Sequence, residues 1–141
     1  MAMRKTIVVA LGGNAIIEEG TEGTIEQQFE NTRKSMKAIV GMIAEGHKVV
    51  LTHGNGPQAG VHLIRNEAAS VQVPPSPLNV IVADTQGSMG YMIAQSLSNA
   101  LRAVGIDKDV VTVITQVVVD PNDPSMLNPT KFVGPFYKFE E

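Results

Sequence analysis

Two short stretches hold the residue types that cradle an anion. Gly12-Gly13-Asn14-Ala15 follows one β-branched run, and Thr52-His53-Gly54-Asn55-Gly56-Pro57-Gln58 follows another. Glycine lets a backbone approach a ligand closely and aim consecutive N–H groups at negative charge. An asparagine in each stretch adds a side-chain donor and acceptor. The second stretch leads into a helix expected to start near Pro57, where the first-turn N–H groups lack intrahelical partners. Either stretch alone is also compatible with a tight turn. Two of them, both at strand ends and both with Asn, favour an anion site at Gly12, Gly13, Asn14, Gly54, Asn55 and Gly56.

A third stretch, Asn128-Pro129-Thr130-Lys131-Phe132-Val133-Gly134-Pro135-Phe136, carries a single cation in a Pro-punctuated, partly apolar loop. Lys131 reads either as an ordinary surface lysine or as a point charge for a phosphoryl group in transfer. The Walker pattern is absent. Gly54, Gly56 and Gly60 loosely resemble the dinucleotide fingerprint. That fingerprint needs an acidic residue about 20 positions further on, at the end of a strand. Here the chain runs into Val73-Pro74-Pro75 instead, so a nicotinamide-dependent oxidoreductase is a minor alternative. His47, His53 and His62 lack paired ligand spacing, and no metal site is expected from them. His53 is expected to orient the glycine loop by hydrogen bonding. No nucleophile elbow of the Gly-x-Ser-x-Gly kind is present.

The elements that must position these residues follow from periodicity. Thr6–Leu11 and His47–Thr52 are short β-branched runs suited to buried parallel strands. Between them Ile25, Phe29, Thr32, Met36, Ile39, Val40 and Ile43 recur at spacings of three and four, predicting a helix with Thr24 as cap and Gly46 as stop. The helix near Pro57 carries Val61, Ile64 and Ala68. Val73–Pro77 is a stiff connector, and Leu78–Val104 reads as a long helix interrupted by Gly87 and Gly90, which allow close packing or mark a break. Val110–Asp120 is expected to be a third strand. The order β-α-β-α-α-β implies a parallel sheet with right-handed crossovers and helices on both faces. Ligands on such sheets bind at the carboxyl ends of the strands, where both glycine stretches fall.

Composition narrows the function classes. The 141 residues are 43% hydrophobic and 18% charged, too apolar for a disordered chain. A net charge of −3 and an aromatic content of 4% without Trp argue against nucleic-acid binding. The absence of cysteine removes disulfides, zinc–thiolate sites and thiol nucleophiles. The longest apolar-rich stretch, Val110–Val119, is interrupted by Thr112, Thr115 and Gln116, so no membrane span is expected, and the reading is a soluble cytoplasmic protein.

Five stretches together resemble the carbamate kinases of the amino-acid kinase superfamily. They are Val8–Ala15, His53–Gln58, Thr85-Gln86-Gly87-Ser88-Met89-Gly90-Tyr91, Thr115–Pro121, and Asn128–Lys131 with Gly134-Pro135-Phe136. The resemblance implies a three-layer α/β/α sandwich with a mainly parallel sheet and a small protruding subdomain. It implies phosphoryl transfer between ATP and carbamate, giving ADP and carbamoyl phosphate, with Mg²⁺, in a homodimer that serves arginine metabolism and often runs toward ATP. The two glycine stretches would then carry the phosphoryl group and the carbamate end. Many superfamily members have a lysine two residues before Gly-Gly, where this chain has Ala10; in carbamate kinases the lysine of the Pro-Thr-Lys segment takes over, which points to Lys131 as the catalytic cation. Family members are roughly twice as long, so the chain reads as the N-terminal portion of such a kinase. Residues 1–120 would form its carbamate side and 121–141 the truncated start of the protruding subdomain, with the nucleotide site mostly in the missing half. An alternative from another class is a non-catalytic anion-binding or assembly module that pairs an open sheet edge with another chain.

Overall fold

The computed structural model describes residues 3–12, 15–18, 20–131 and 133. Among them, two strands and three α-helices follow in the order β1 (Thr6–Leu11), α1 (Ile25–Ala44), β2 (Lys48–His53), α2 (Gly56–Ala69) and α3 (Leu78–Ala103), and a 3₁₀ turn covers Pro124–Met126. The chain divides into two compact units, Met1–Gly54 with Ser88–Thr112, and Asn55–Gly87 with Val113–Glu141.

In the first unit β1 and β2 pair in parallel, with Thr6 opposite Lys48 and Leu11 opposite His53. The crossover between them is α1, and its ends are set by local chemistry. Thr24 accepts from the Gln27 N–H at 3.3 Å while the Gln27 side chain accepts from the Thr24 N–H at 3.0 Å, closing a capping box. Gly46, at φ +90°, supplies the left-handed turn that ends the helix and returns the chain into β2. The buried polar side chains of α1 fasten the loop before it. Gln28 donates to the Gly23 carbonyl at 2.7 Å, and Asn31 reaches the Ile16 carbonyl at 3.4 Å.

One face of the strand pair, Val9, Leu11, Val49 and Leu51, packs with Met36, Ile39 and Ile43 of α1 and with Ile93, Leu97 and Leu101 of α3. Each such side chain contributes about 1.5–3 kcal/mol when fully buried. The continuous apolar character of the strands is used on this face alone. On the other face Val8 is 65% and Val50 48% exposed.

The third strand expected at Val110–Asp120 does not form among the described residues, where the sheet consists of β1 and β2. β-branched side chains favour extended backbone, but a strand needs a neighbour to pair its N–H and C=O groups, and this segment has none in the sheet. Val110 packs partly buried against the core, but the valines after it are exposed, Val118 at 98%. At one residue a side chain substitutes for a strand. Gln86 Oε1 accepts from the Thr115 N–H at 2.9 Å, and its Nε2 donates to the Thr115 carbonyl at 3.4 Å. The two glycines inside α3 do not break it. At Gly90 a Cβ would run into the side chain of Thr112, so close packing is the reason for that glycine.

The apolar positions expected on α2 are exposed at Val61, Ile64 and Ala68, and the buried positions are the small residues Ala59 and Gly60. The connector before α3 is held by a reciprocal pair. Asn66 accepts from the Ser76 N–H at 2.8 Å and donates to the Ser76 carbonyl at 3.1 Å.

Ser96 on α3 is buried, and its hydroxyl finds no hydrogen-bond partner among the described residues. An unsatisfied buried hydroxyl is destabilising, and alanine is the better helix former. Ser96→Ala should raise stability by about 0.5–1 kcal/mol. A higher urea midpoint with unchanged slope is the expected result; a lower midpoint would mean the hydroxyl is bonded.

Candidate anion-binding site

The parallel register fixes where the first-unit parts of the two glycine stretches lie. Since Leu11 stands opposite His53, Gly12 and Gly54 leave adjacent strands at the same carboxyl edge, where neighbouring chains are about 4.8 Å apart. The Gly12 carbonyl accepts from the Ala15 N–H at 3.0 Å. Gly13 and Asn14 lie outside the described residues. His53 sits half-buried with Nδ1 3.2 Å from the Gly54 carbonyl; as the Nδ1–H tautomer it donates there and orients the loop.

The glycines themselves carry a signal that sequence alone could not supply. Gly12, Gly54 and Gly56 do not have positive φ, and a Cβ at any of them would meet nothing within 4 Å. Neither backbone conformation nor crowding by the protein calls for glycine at these positions. Gly41 in α1 shares both properties, so the open space at Gly12, Gly54 and Gly56 leaves room for a ligand to approach bare backbone without by itself requiring one.

In the second unit Asn55 is the N-cap residue of α2, with Pro57 in the first turn. Its side chain does not cap the helix. The amide nitrogen turns to α3, donating to Thr85 Oγ1 at 2.8 Å and to the Val82 carbonyl at 3.2 Å. The sequence connects neither Thr85 nor Val82 to Asn55, and no spacing rule could, because the Asn55–Thr85 contact spans 30 residues. Lys131 is exposed in the same unit. Asp123, upstream in that loop, accepts from the Ser125 N–H at 2.8 Å, which holds its carboxyl below the usual carboxylate range.

Among the described residues no three His, Asp or Glu side chains cluster to hold a metal ion. No helix among them is long and apolar enough to cross a membrane.

The parallel βαβ unit is of the α/β class, and the family comparison agrees. Residues 5–132 match the amino acid kinase family, and the chain belongs to it. Within the family it is similar to several carbamate kinases. It is 50% identical over 140 residues to the carbamate kinase of Pyrococcus furiosus, a match covering 98% of this chain and 45% of that protein. It is 49% identical over 136 residues to the carbamate kinase of Trichomonas vaginalis. The solved carbamate kinase of Giardia lamblia bound to AMP-PNP superposes with a TM-score of 0.91 at 41% identity, covering 99% of this chain and 44% of that one. The chain therefore spans a little under half the length of these relatives.

Proposed function

We propose that this chain carries the carbamate and carbamoyl-phosphate side of a carbamate kinase, which transfers a phosphoryl group between ATP and carbamate. The observation that supports the reading is the set of glycines at Gly12, Gly54 and Gly56, placed after the two parallel strands with open space beside their backbone. The N–H groups of the two stretches, Gly12-Gly13-Asn14 and Gly54-Asn55-Gly56, hold the phosphoryl oxygens, and Lys131 supplies the cation that offsets charge developing in the transition state. Such a transfer is mostly positioning and charge stabilisation, so no nucleophilic side chain is needed.

The relatives' names and the AMP-PNP in the Giardia structure support an ATP/ADP cofactor. The described residues offer no acidic cluster for Mg²⁺, and no step is assigned to a metal held by this chain. A cytoplasmic homodimer serving arginine metabolism, with no nucleic-acid or membrane partner, is the reading that the family resemblance supports.

Gly54→Ala separates function from folding. The added methyl enters open space at a φ that alanine tolerates, so stability should hold or rise by up to about 1 kcal/mol through a stiffer unfolded chain. Carbamoyl phosphate affinity should fall about tenfold or more, since the methyl occupies the approach to the backbone N–H groups. Isothermal titration with carbamoyl phosphate and urea unfolding of the same variant check both halves. Unchanged affinity would remove Gly54 from the site. Activity itself is testable in a chimera that joins residues 1–141 to the remainder of the Pyrococcus furiosus kinase. ATP formation from carbamoyl phosphate and Mg-ADP is expected, and a folded chimera that makes none would contradict the assignment.

A further inference from the structure

We infer that Thr85 is a positioning residue that sets the second glycine stretch through Asn55. Thr85 lies on α3 and is 0% exposed. Its hydroxyl is within donating distance of two carbonyls of its own helix, Ile81 at 3.0 Å and Val82 at 2.9 Å. With its hydrogen directed at that turn, its oxygen accepts from Asn55 Nδ2 at 2.8 Å. The same nitrogen donates to the Val82 carbonyl at 3.2 Å. The Asn55 amide thus lies across one turn of α3, with both of its N–H groups directed there. All four residues belong to the same compact unit.

Two consequences follow for the start of α2. An asparagine at a helix N-cap ordinarily turns its side chain back to accept from a first-turn N–H. Here that side chain is committed to α3 and makes no such cap bond. The hold on Asn55 also fixes the peptide that leads into Gly56, the first residue of α2. The bond is partly buried, its Thr85 end fully so, and there a hydroxyl–amide contact is stronger and its loss less well replaced by water. Thr85 touches no substrate in this account. It acts through Asn55, and the functional consequence rests on the proposed anion role of that stretch.

The test uses the 141-residue chain. Thr85→Val keeps shape and burial but removes the hydroxyl; Thr85→Ser keeps the hydroxyl. Asn55→Ala removes the same bond from the other side, which covers the case in which Thr85→Val does not fold. Two readouts are taken well below the unfolding midpoint: hydrogen exchange of the Asn55 side-chain amide by NMR, and carbamoyl phosphate affinity by titration. Thr85→Val should speed Asn55 amide exchange about tenfold and weaken carbamoyl phosphate binding about tenfold. Thr85→Ser should restore both. Asn55→Ala should weaken binding as much as Thr85→Val, and the double variant no further. Unchanged Asn55 exchange in Thr85→Val overturns the inference, as does unchanged binding in a variant whose exchange has risen. If the wild-type chain does not bind carbamoyl phosphate, the anion reading of the stretch fails instead, and the exchange comparison between the valine and serine variants still decides whether Thr85 holds Asn55.

Discussion

Lys131→Ala is expected to lower ATP formation from carbamoyl phosphate and Mg-ADP on the order of a hundredfold or more, about 2.7 kcal/mol of transition-state stabilisation. The reasoning starts from charge. A phosphoryl group in transfer spreads negative charge over its equatorial oxygens, and backbone N–H donors offset only part of it. Other superfamily members are expected to carry a lysine two residues before the first Gly-Gly, where this chain has Ala10. The cation is then expected from elsewhere, and Lys131 stands in the Pro-Thr-Lys segment on which the resemblance to carbamate kinases rests. Because the interaction is made mainly in the transition state, kcat and kcat/KM should fall together while KM for carbamoyl phosphate changes little. Lys131→Arg should recover only part of the rate, because a planar guanidinium places its charge differently from a compact ammonium. Steady-state kinetics in the chimera checks this. A Lys131→Ala enzyme with the parent rate would remove the lysine from the mechanism.

The second large effect is on stability. Met36→Ala should cost about 2–5 kcal/mol, the range for deleting a large buried aliphatic side chain with incomplete collapse of the cavity. Met36 is 0% exposed and belongs to the cluster that joins α1, α3 and the inner face of β1 and β2. A typical domain is stable by about 5–15 kcal/mol, so this one truncation removes a large share. Met36→Leu keeps volume and should cost less than about 1.5 kcal/mol. Urea unfolding followed by far-UV circular dichroism measures both. A loss under about 1 kcal/mol in the alanine variant would mean that α1 does not pack on the sheet as described.

The parts of the fold set by local chemistry were legible from residues alone. The spacing of Met36, Ile39 and Ile43, the Thr24 cap and the Gly46 stop define α1, and the structure places it at Ile25–Ala44. Both strands and the long α3 were legible for the same reason, because each carries a periodic or β-branched pattern over its whole length. Val110–Asp120 has an equally strong β-branched composition and forms no strand. Strand formation depends on a neighbour, and that information is not in the segment itself. The amphipathic reading of α2 likewise missed that its buried positions are Ala59 and Gly60. The glycine stretches were legible by type and by their place after each strand. Two things were not. The Asn55–Thr85 bond joins residues 30 positions apart. The open space around Gly12, Gly54 and Gly56 exists only once the chain is folded. None of the three glycines has the positive φ that a glycine-requiring turn would need.

The most direct measurement is an NMR titration of the ¹⁵N-labelled 141-residue chain with carbamoyl phosphate. Saturable shifts centred on the backbone amides of Gly12, Gly54 and Gly56 are expected. Saturable shifts centred elsewhere, or none at these amides, would contradict the proposed anion site.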